Sequence, residues 1–323
     1  MLVETGLKTS LIMLMGIPAC GKSYVAKQIQ KEGEENDRKV VIHSSDELRK
    51  ELFNDVGEQT KNDVLFEELH KRIKRDLNDG IDVIYDATNL SKKRRAAFLR
   101  ELKNIDCEKI CVPVLAPYED CIERNSKRSR TVPDKVMKKM YTSFQPPSTR
   151  EGFNSIILIY NLESTGHFRE YTLDEFFHGK VNACQIEQGN RHHKRTIGDH
   201  CMAVYNSLNT NFPHDPTLKL AGLLHDVGKP FTKTNVKPNG EVDSEYHYYY
   251  HNNVGAYDSF FYTMALNVPY PDRVDIANLI YYHMLPLTAW KQSDKARKRH
   301  RKMLGEEMYD WIIKLNKADK ENG

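Results

Sequence analysis

The sequence lacks any long hydrophobic run: the longest, Leu11–Met15, is far shorter than the ~18 residues that a membrane span needs. This run begins ten residues into the chain, after Glu4, and no small-residue cleavage site follows it, so we expect no secretory signal. The six cysteines form no CxxC pair. We therefore expect reduced thiols rather than a disulfide framework, and a cytoplasmic protein without membrane contact.

An excess of charge of one sign is also missing, because 48 Lys and Arg residues stand against 45 Asp and Glu residues, for a net charge of +3. This balance excludes a histone-like protein coated in positive charge, but it leaves room for a local basic groove. A length of 323 residues is enough for two domains, each with its own core.

Short apolar runs alternate with helix-like stretches in the first half of the chain. Such alternation predicts βαβ units and a parallel sheet, and the mostly continuous apolar runs indicate strands covered on both faces. The five predicted strands are Leu11–Met15, Val40–His43, Asp82–Tyr85, Ile110–Leu115 and Ile156–Tyr160, and the clearest helices between them are Lys61–Asn78 and Lys92–Leu102.

Strand signals stop after about residue 180, and the rest of the chain is predicted to be helical. We expect an α/β domain of about five parallel strands over residues 1–180, followed by an all-α domain over residues 181–323. The predicted helices are Gly198–Leu208, Thr217–Leu224, Asn252–Leu266, Asp272–Tyr282 and Glu306–Lys317.

A phosphate-binding motif follows the first strand. It matches GxxxxGKS in the order Gly16, Ile17, Pro18, Ala19, Cys20, Gly21, Lys22, Ser23, and it leads into a predicted helix. The backbone N–H groups of such a loop and the positive end of the helix hold phosphate oxygens, and the lysine neutralises their charge. Ser23 is placed to hold Mg²⁺ on the terminal phosphates of ATP.

Polar side chains follow the second and third strands, at the sheet edge where ligands of α/β proteins bind. Asp46 is a candidate to accept the proton of an attacking hydroxyl, and Arg49, one helical turn later, is a candidate to hold a substrate phosphate. Asp86 is a candidate for an orienting or metal-linked acid. The alternative is that Ser45, Asp46 and Asp86 only cap the helices that follow.

The basic segment Arg124–Arg130 precedes Val132 and Pro133. A basic helix end before a Pro-started helix suits a lid that closes arginines over nucleotide phosphates, and its alternative is a solvated charged helix face.

These motifs together resemble the kinase module of polynucleotide kinases, which phosphorylate 5′-hydroxyl ends. The resemblance covers roughly residues 10–162 and rests on GIPACGKS, SSDELRKEL, YDATNLSKKRR, ERNSKRSRTVPDKVMKKMY and PPSTREGFNSIILI. It implies that Lys22 and Ser23 bind ATP and Mg²⁺, that Asp46 is the general base, and that Arg49 holds the acceptor phosphate. It also implies that Arg124 and Arg128 contact the donor phosphates and that Asp86 lies at the substrate site.

Histidines are concentrated in the second half, where nine of the thirteen follow residue 190. His225 and Asp226 end an apolar run in LLHDVGKP, and together they offer nitrogen and oxygen ligands to a divalent metal. Each histidine alone is explained as well by a structural role. The set that lies on successive predicted helices is His200, His225, Asp226, His251, His283 and Asp319.

This ordered set resembles the HD-domain metal-dependent phosphohydrolases, over about residues 190–319. The resemblance implies one metal held by His200, His225, Asp226 and Asp319, with Asp226 bridging to a second site completed by His251 and His283. Mn²⁺, Ni²⁺ or Co²⁺ are the expected ions. Lys229 would face the phosphate, and His193, in a stretch similar to HD domains of tRNA nucleotidyltransferases, would bind substrate.

The two resemblances predict a nucleic-acid end-healing enzyme, with RNA favoured over DNA as partner: a 5′-hydroxyl kinase joined to a 2′,3′-cyclic phosphodiesterase and phosphatase. No Lys-x-Asp-Gly motif is present, so sealing is expected from a separate ligase. The alternative is a nucleoside or small-molecule kinase fused to a nucleotidase. The cluster Lys295–Lys302 either follows a nucleic-acid backbone or is a solvated face. The sequence leaves a homo-oligomer open.

Overall fold

The structure, a computed structural model, describes residues 8–162, 166–189 and 194–323. These residues fall into two units. The first holds the residues up to 137 together with 147–162, and the second holds 138–146 together with the residues from 166 onward. The units thus divide nearer the amino terminus than the predicted limit at residue 180.

One parallel sheet runs through the first unit, with strand order β2-β3-β1-β4-β5 and with β6 also paired to β4. Six of the seven residues of its central strand β1 are buried, as expected for a strand covered on both faces. The predicted fifth strand is split into two short ones. The strands are β1 (Thr9–Met15), β2 (Val40–Ser44), β3 (Asp82–Asp86), β4 (Cys107–Leu115), β5 (Ser155–Ile156) and β6 (Ile159–Tyr160).

Helices connect these strands, as the alternating pattern predicts. The α2 helix is capped by Ser44, whose side chain accepts from the Glu47 N–H, rather than by Ser45 or Asp46 as the alternative interpretation supposed. The helices are α1 (Lys22–Glu35), α2 (Ser45–Phe53), α3 (Asn62–Asn78), α4 (Lys92–Glu101), α5 (Tyr118–Ser126) and α6 (Asp134–Tyr141).

The second unit is mainly helical, and residues 138–146 belong to it. There the Tyr141 hydroxyl donates to the Asp258 carboxylate at 2.6 Å. Its helices are α7 (Leu173–Phe177), α8 (Ile197–Asn211), α9 (Pro216–Leu224), α10 (Lys229–Thr232), α11 (His251–Ala265), α12 (Tyr270–Tyr282), α13 (Ala289–Gln292), α14 (Asp294–Leu304) and α15 (Glu306–Glu321). No described helix in either unit is long and apolar enough to cross a membrane.

The expectation that strands end before residue 180 is wrong in one place. An antiparallel hairpin joins β7 (Thr234–Val236) and β8 (Val242–His247). Exposed and half-buried residues alternate along β8, so this strand lacks the continuous apolar run by which the other strands were found.

Candidate active sites: a phosphate-binding loop and a histidine–aspartate centre

The GxxxxGKS motif forms the turn between β1 and α1, at the carboxyl edge of the sheet. The Gly16 N–H donates to the Thr88 carbonyl at 3.0 Å, which ties the loop to the segment after β3. Gly21 has φ +102°, and a Cβ there would collide with the Asn161 amide, so this position requires glycine. The Lys22 ammonium donates to the Ile17 carbonyl at 2.8 Å, inside the loop.

Ser23 and Asp86 meet where α1 begins and β3 ends. The Ser23 hydroxyl donates to Asp86 Oδ2 at 2.8 Å, and the Asp86 side chain is buried. A hydroxyl and a carboxylate are hard oxygen ligands of the kind that Mg²⁺ takes beside nucleotide phosphates. The pair therefore fits the magnesium that a phosphate-binding loop implies.

Asn161, which the sequence reasoning missed, supports the phosphate-binding loop from the residue after β6. Its Nδ2 donates to the Cys20 carbonyl at 3.0 Å, and its own carbonyl accepts from Arg124 Nη2 at 3.3 Å. The sequence does contain a signal for this residue, because Asn161 is a polar residue directly after the fifth apolar run. It therefore lies at the same edge of the sheet as Asp46 and Asp86, where ligands of α/β proteins bind.

Asp46 and Arg49 lie one turn apart on α2, as their spacing indicates. Asp46 is exposed, whereas only 4% of Arg49 is exposed. Arg49 Nη1 donates to the Glu58 carbonyl at 2.6 Å and to Asn62 Oδ1 at 2.9 Å, and its buried Nε has no hydrogen-bond partner. Burial lowers the pKa of Arg49, and the charge of Asp46 opposes that shift.

Only some side chains of the basic segment Arg124–Arg130 form hydrogen bonds with the described residues. Arg130 Nη2 donates to the Val56 carbonyl at 2.9 Å. Arg128 is exposed and makes no side-chain hydrogen bond or ion pair with the described residues. The structure thus brings Lys22, Ser23 and Asp86 together with Arg124 nearby, but it shows no contact of Arg128 with them.

In the second unit, three of the candidate metal ligands lie on, or directly after, helices with a buried apolar face. Ile197, Cys201, Val204 and Leu208 line one face of α8 at i, i+4, i+7 and i+11, and His200 falls on that same face. His225 directly follows the apolar α9, and His283 directly follows the apolar α12. Because these helix faces pack inward, the three histidines lie close together in the interior of the unit.

In each of the four histidines, Nδ1 forms a hydrogen bond with a backbone carbonyl. The accepting carbonyls are those of Asn322 (for His200, 3.2 Å), Gly222 (for His225, 2.7 Å), Tyr248 (for His251, 2.8 Å) and Ile280 (for His283, 2.6 Å). A carbonyl only accepts, so Nδ1 carries the proton and Nε2 of the neutral ring keeps its lone pair for a metal.

These Nε2 atoms face one another and the two aspartates. His200 Nε2 lies 3.2 Å from His225 Nε2 and 3.0 Å from Asp319 Oδ1, which makes the first ligand group. His251 Nε2 lies 3.1 Å from His283 Nε2 in the second group. Paired lone pairs at these distances repel unless a positive charge lies among them, so the donor set fits divalent cations.

Asp226 faces both groups. Its Oδ2 lies 3.3 Å from His225 Nε2 and 3.6 Å from His200 Nε2, while its Oδ1 lies 3.4 Å from His251 Nε2. Burial alone would raise the pKa of Asp226, but the adjacent His225 and the Lys229 ammonium hold it well below its usual range. The carboxylate is therefore ionised and has one oxygen toward each group.

The pKa values of Asp319 and His283 suit metal binding. Burial would raise the pKa of Asp319, but the adjacent His200 and His225 bring it to about 2. Burial, together with the charges of His251 and His225, lowers the pKa of His283 to about 3. At neutral pH the aspartate is ionised and this imidazole is neutral, as metal ligands must be.

Lys229 lies beside Asp226, at 2.6 Å between Nζ and Oδ2. Its ammonium also donates to Gln188 Oε1 at 2.6 Å, and the Tyr248 hydroxyl donates to the Gln188 carbonyl at 2.6 Å. Gln188 therefore positions Lys229, and no motif in the sequence marked it. His193 lies outside the described residues.

Comparison with known families finds one match in each half of the chain. A model of the AAA domain (AAA_33) matches residues 11–147, and a model of the HD domain matches residues 197–315.

Similar proteins match up to about half of the chain. L-seryl-tRNA(Sec) kinase of Methanococcus maripaludis is 28% identical over 140 residues, which are 43% of this chain and 54% of the relative, so the chain spans about half the length of that curated relative. Chaetomium thermophilum Kti12 in complex with ADP-AlF3 shares 20% identity over 50% of this chain and 94% of its own, with a TM-score of 0.41. A chain of the Pnkp1/Rnl/Hen1 RNA repair complex shares 19% identity over 44% of this chain and 46% of its own, with a TM-score of 0.36.

The chain therefore contains an α/β P-loop kinase-like domain with a parallel sheet, followed by a helical HD domain.

Proposed function

We propose that this protein heals nucleic-acid ends, with the kinase domain phosphorylating a 5′-hydroxyl and the HD domain removing a 2′,3′-cyclic phosphate. Many ribonucleases leave this pair of ends, whereas a ligase needs a 5′-phosphate and a free 3′-hydroxyl. A separate ligase would then seal the product. The substrate is RNA in preference to DNA, because a 2′,3′-cyclic phosphate requires the 2′-hydroxyl of RNA.

The observation that carries the kinase half is the pairing of Asp46 with Arg49. An exposed carboxylate stands one turn from a buried guanidinium whose Nε is without a partner. The end of a nucleic acid presents the matching groups, namely a 5′-hydroxyl and the phosphate of the same nucleotide. The curated relative, L-seryl-tRNA(Sec) kinase, is likewise named for a substrate attached to RNA.

In the proposed transfer, Asp46 accepts the proton of the 5′-hydroxyl. The hydroxyl oxygen attacks the γ-phosphorus of ATP. The bond from that phosphorus to the β,γ-bridging oxygen breaks, and ADP leaves. Lys22, Arg124 and Arg128 hold the donor phosphates, and Arg49 holds the acceptor phosphate. Mg²⁺, held by Ser23 and Asp86, neutralises charge on the terminal phosphates when bound.

In the HD domain, the two ligand groups and the shared Asp226 would hold one or two divalent ions such as Mn²⁺, Ni²⁺ or Co²⁺. Such ions, when bound, activate water and stabilise the leaving oxygen of a phosphoester. The Lys229 ammonium, which lies beside Asp226, would attract the substrate phosphate, and His193 would contact the substrate. A first water opens the cyclic ester, and a second releases inorganic phosphate.

The kinase proposal is tested by competition between acceptors, with ATP and Mg²⁺ in each assay. We expect a 5′-hydroxyl oligonucleotide to be preferred over a nucleoside 3′-phosphate, and the nucleoside 3′-phosphate over a bare nucleoside. Arg49→Gln should remove the second preference, whereas Lys50→Gln, which changes an exposed neighbour on the same helix, should keep both. Equal use of nucleoside 3′-phosphate and oligonucleotide would favour a small-molecule kinase instead.

A further inference from the structure

The α14 helix carries a larger net positive charge than the whole protein. Residues 294–304 include six Lys or Arg and one Asp, for a net charge of +5, against +3 for all 323 residues. The remaining residues therefore have a net charge of −2. A local excess of this size on a single helix of a near-neutral protein indicates a polyanionic partner.

One face of α14 packs inward. Leu304 is buried and Ala296 is half-buried, and His300 between them accepts a hydrogen bond from the Trp290 indole N–H at 2.9 Å. These residues follow one another at intervals of four, so they line one side of the helix. The apolar side of α14 is thus occupied by its own domain, and it is not available for insertion into a membrane surface.

Two basic residues of the helix have partners within the domain. Arg297 Nε donates to the Tyr309 hydroxyl at 2.5 Å. The Arg301 guanidinium pairs with the Glu306 carboxylate, at 2.9 Å from Nε to Oε2. Both arginines also lie over the Tyr309 ring, so their charges are engaged in holding α14 against α15.

The other four basic residues form a single stripe, at i, i+3, i+4 and i+7. All four are exposed, and none of their side chains forms a hydrogen bond or ion pair with the described residues. With 3.6 residues per turn, they fall within ~100° of the helix circumference, opposite the packed face, and extend over ~10 Å. The stripe consists of Lys295, Lys298, Arg299 and Lys302.

Such a stripe destabilises the helix by itself, since like charges at i and i+4 repel. Lys295 with Arg299 and Lys298 with Lys302 are two such pairs. A bound polyanion would remove this repulsion, and no carboxylate in the described part of the domain forms an ion pair with any of the four.

We propose that this stripe binds the phosphate backbone of the nucleic acid whose 3′ end enters the HD centre, an inference that rests on the proposed function. The α15 helix connects the two places, because Tyr309 contacts α14 and Asp319 belongs to the ligand set. Ten residues separate them, which is ~15 Å along the helix axis. A few nucleotides behind the reacting end would reach the stripe, and a mononucleotide would not.

The test compares K295Q/K298Q/R299Q/K302Q with the matched control R297Q/R301Q. The probe is a labelled 12-nucleotide RNA with a 5′-phosphate and a 3′-hydroxyl, which neither domain can process, and its binding is measured from 50 to 200 mM salt. Four lost phosphate contacts at ~0.7 each lower the salt slope by ~2.8, so the wild type should lose about fifty-fold more affinity over this range than the stripe variant. The control should change the slope by less than ~1.

Two further readouts separate the stripe from a structural role. The stripe variant should melt at the same or a higher temperature than the wild type at low salt, and it should hydrolyse a nucleoside 2′,3′-cyclic phosphate at the wild-type rate. A DNA of the same sequence shows which nucleic acid the backbone contact prefers. An unchanged salt slope would overturn the proposal, as would loss of binding to phosphatidylserine vesicles without any loss for RNA.

Failure of the proposed function gives a different result. If the wild type hydrolyses no nucleotide phosphoester with Mn²⁺, Ni²⁺ or Co²⁺ while the salt slope still falls in the stripe variant, the catalytic proposal is wrong and the backbone-binding surface stands.

Discussion

The support that Asn161 gives the phosphate-binding loop leads to the most detailed prediction. Asn161→Ala removes the amide that donates to the Cys20 carbonyl at 3.0 Å. A hydrogen bond of this kind contributes about 1 kcal/mol, which corresponds to about a fivefold change in affinity. We therefore expect KM for ATP to rise about fivefold in Asn161→Ala, with kcat changed by less than twofold, because no reacting atom contacts this side chain.

Asn161→Asp sharpens the same prediction. The carboxylate keeps the shape of the amide but loses its donor, and it places a negative charge beside the Cys20 carbonyl and the ATP phosphates. We expect KM for ATP to rise more than tenfold in this variant.

The assay measures kinase kinetics against ATP at a saturating 5′-hydroxyl oligonucleotide. Asn154→Ala is the matched control, because this residue accepts from the Lys109 N–H near β5, away from the loop. Hydrolysis of a nucleoside 2′,3′-cyclic phosphate by the same samples serves as an internal check of folding. An unchanged KM for ATP in Asn161→Ala, or an aspartate variant no worse than the alanine variant, would refute the reasoning.

Three further predictions concern stability and metal content. Burial and the charges of Glu307 and Asp272 raise the pKa of Asp275 to about 6. The folded state therefore binds more protons than the unfolded state between pH 3.8 and about 6, and the free energy of unfolding falls as pH rises through that window. In urea denaturation, Asp275→Asn should increase the free energy of unfolding by about 1–2 kcal/mol at pH 7.5, less than the full pKa shift implies because water screens the half-buried carboxylate. The gain at pH 4 should be small, and an equal gain at both pH values would contradict this assignment. Arg95→Met should destabilise the protein by about 3–5 kcal/mol, because it leaves the fully buried Glu151 carboxylate without its bidentate partner, and Arg95→Met with Glu151→Leu should recover much of the loss in the same measurement. His283→Ala should reduce the bound divalent metal measured by elemental analysis while leaving the kinase rate unchanged, and full metal content would remove His283 from the ligand set.

Local patterns were sufficient for the elements whose signal lies in consecutive residues. The five apolar runs become strands of one parallel sheet, and β1, β3 and β4 are mostly buried, as their continuous apolar runs predict. The phosphate-binding motif needs only a strand, a loop and a helix in sequence. The split of the fifth run was not predictable, because it depends on how β5 and β6 pair with β4.

The candidate site residues divide in the same way. His225 and His283 were recognisable because each ends an apolar helical stretch, and the helix faces that pack bring them together. Asn161 and Gln188 were missed because their roles depend on partners distant in sequence, the Cys20 carbonyl and the Lys229 ammonium. Asp46 and Arg49 were found by their spacing, but the burial of Arg49 depends on Glu58 and Asn62, which no motif marked.

The most direct test of two independent centres in one chain uses an RNA with a 5′-hydroxyl and a 2′,3′-cyclic phosphate. Both ends are analysed after reaction with the wild type, Lys22→Ala and Asp226→Ala, in the presence of ATP, Mg²⁺ and Mn²⁺. We predict that Lys22→Ala leaves the 5′ end unphosphorylated but still heals the 3′ end, and that Asp226→Ala does the reverse. Loss of both activities through either single substitution would contradict the account.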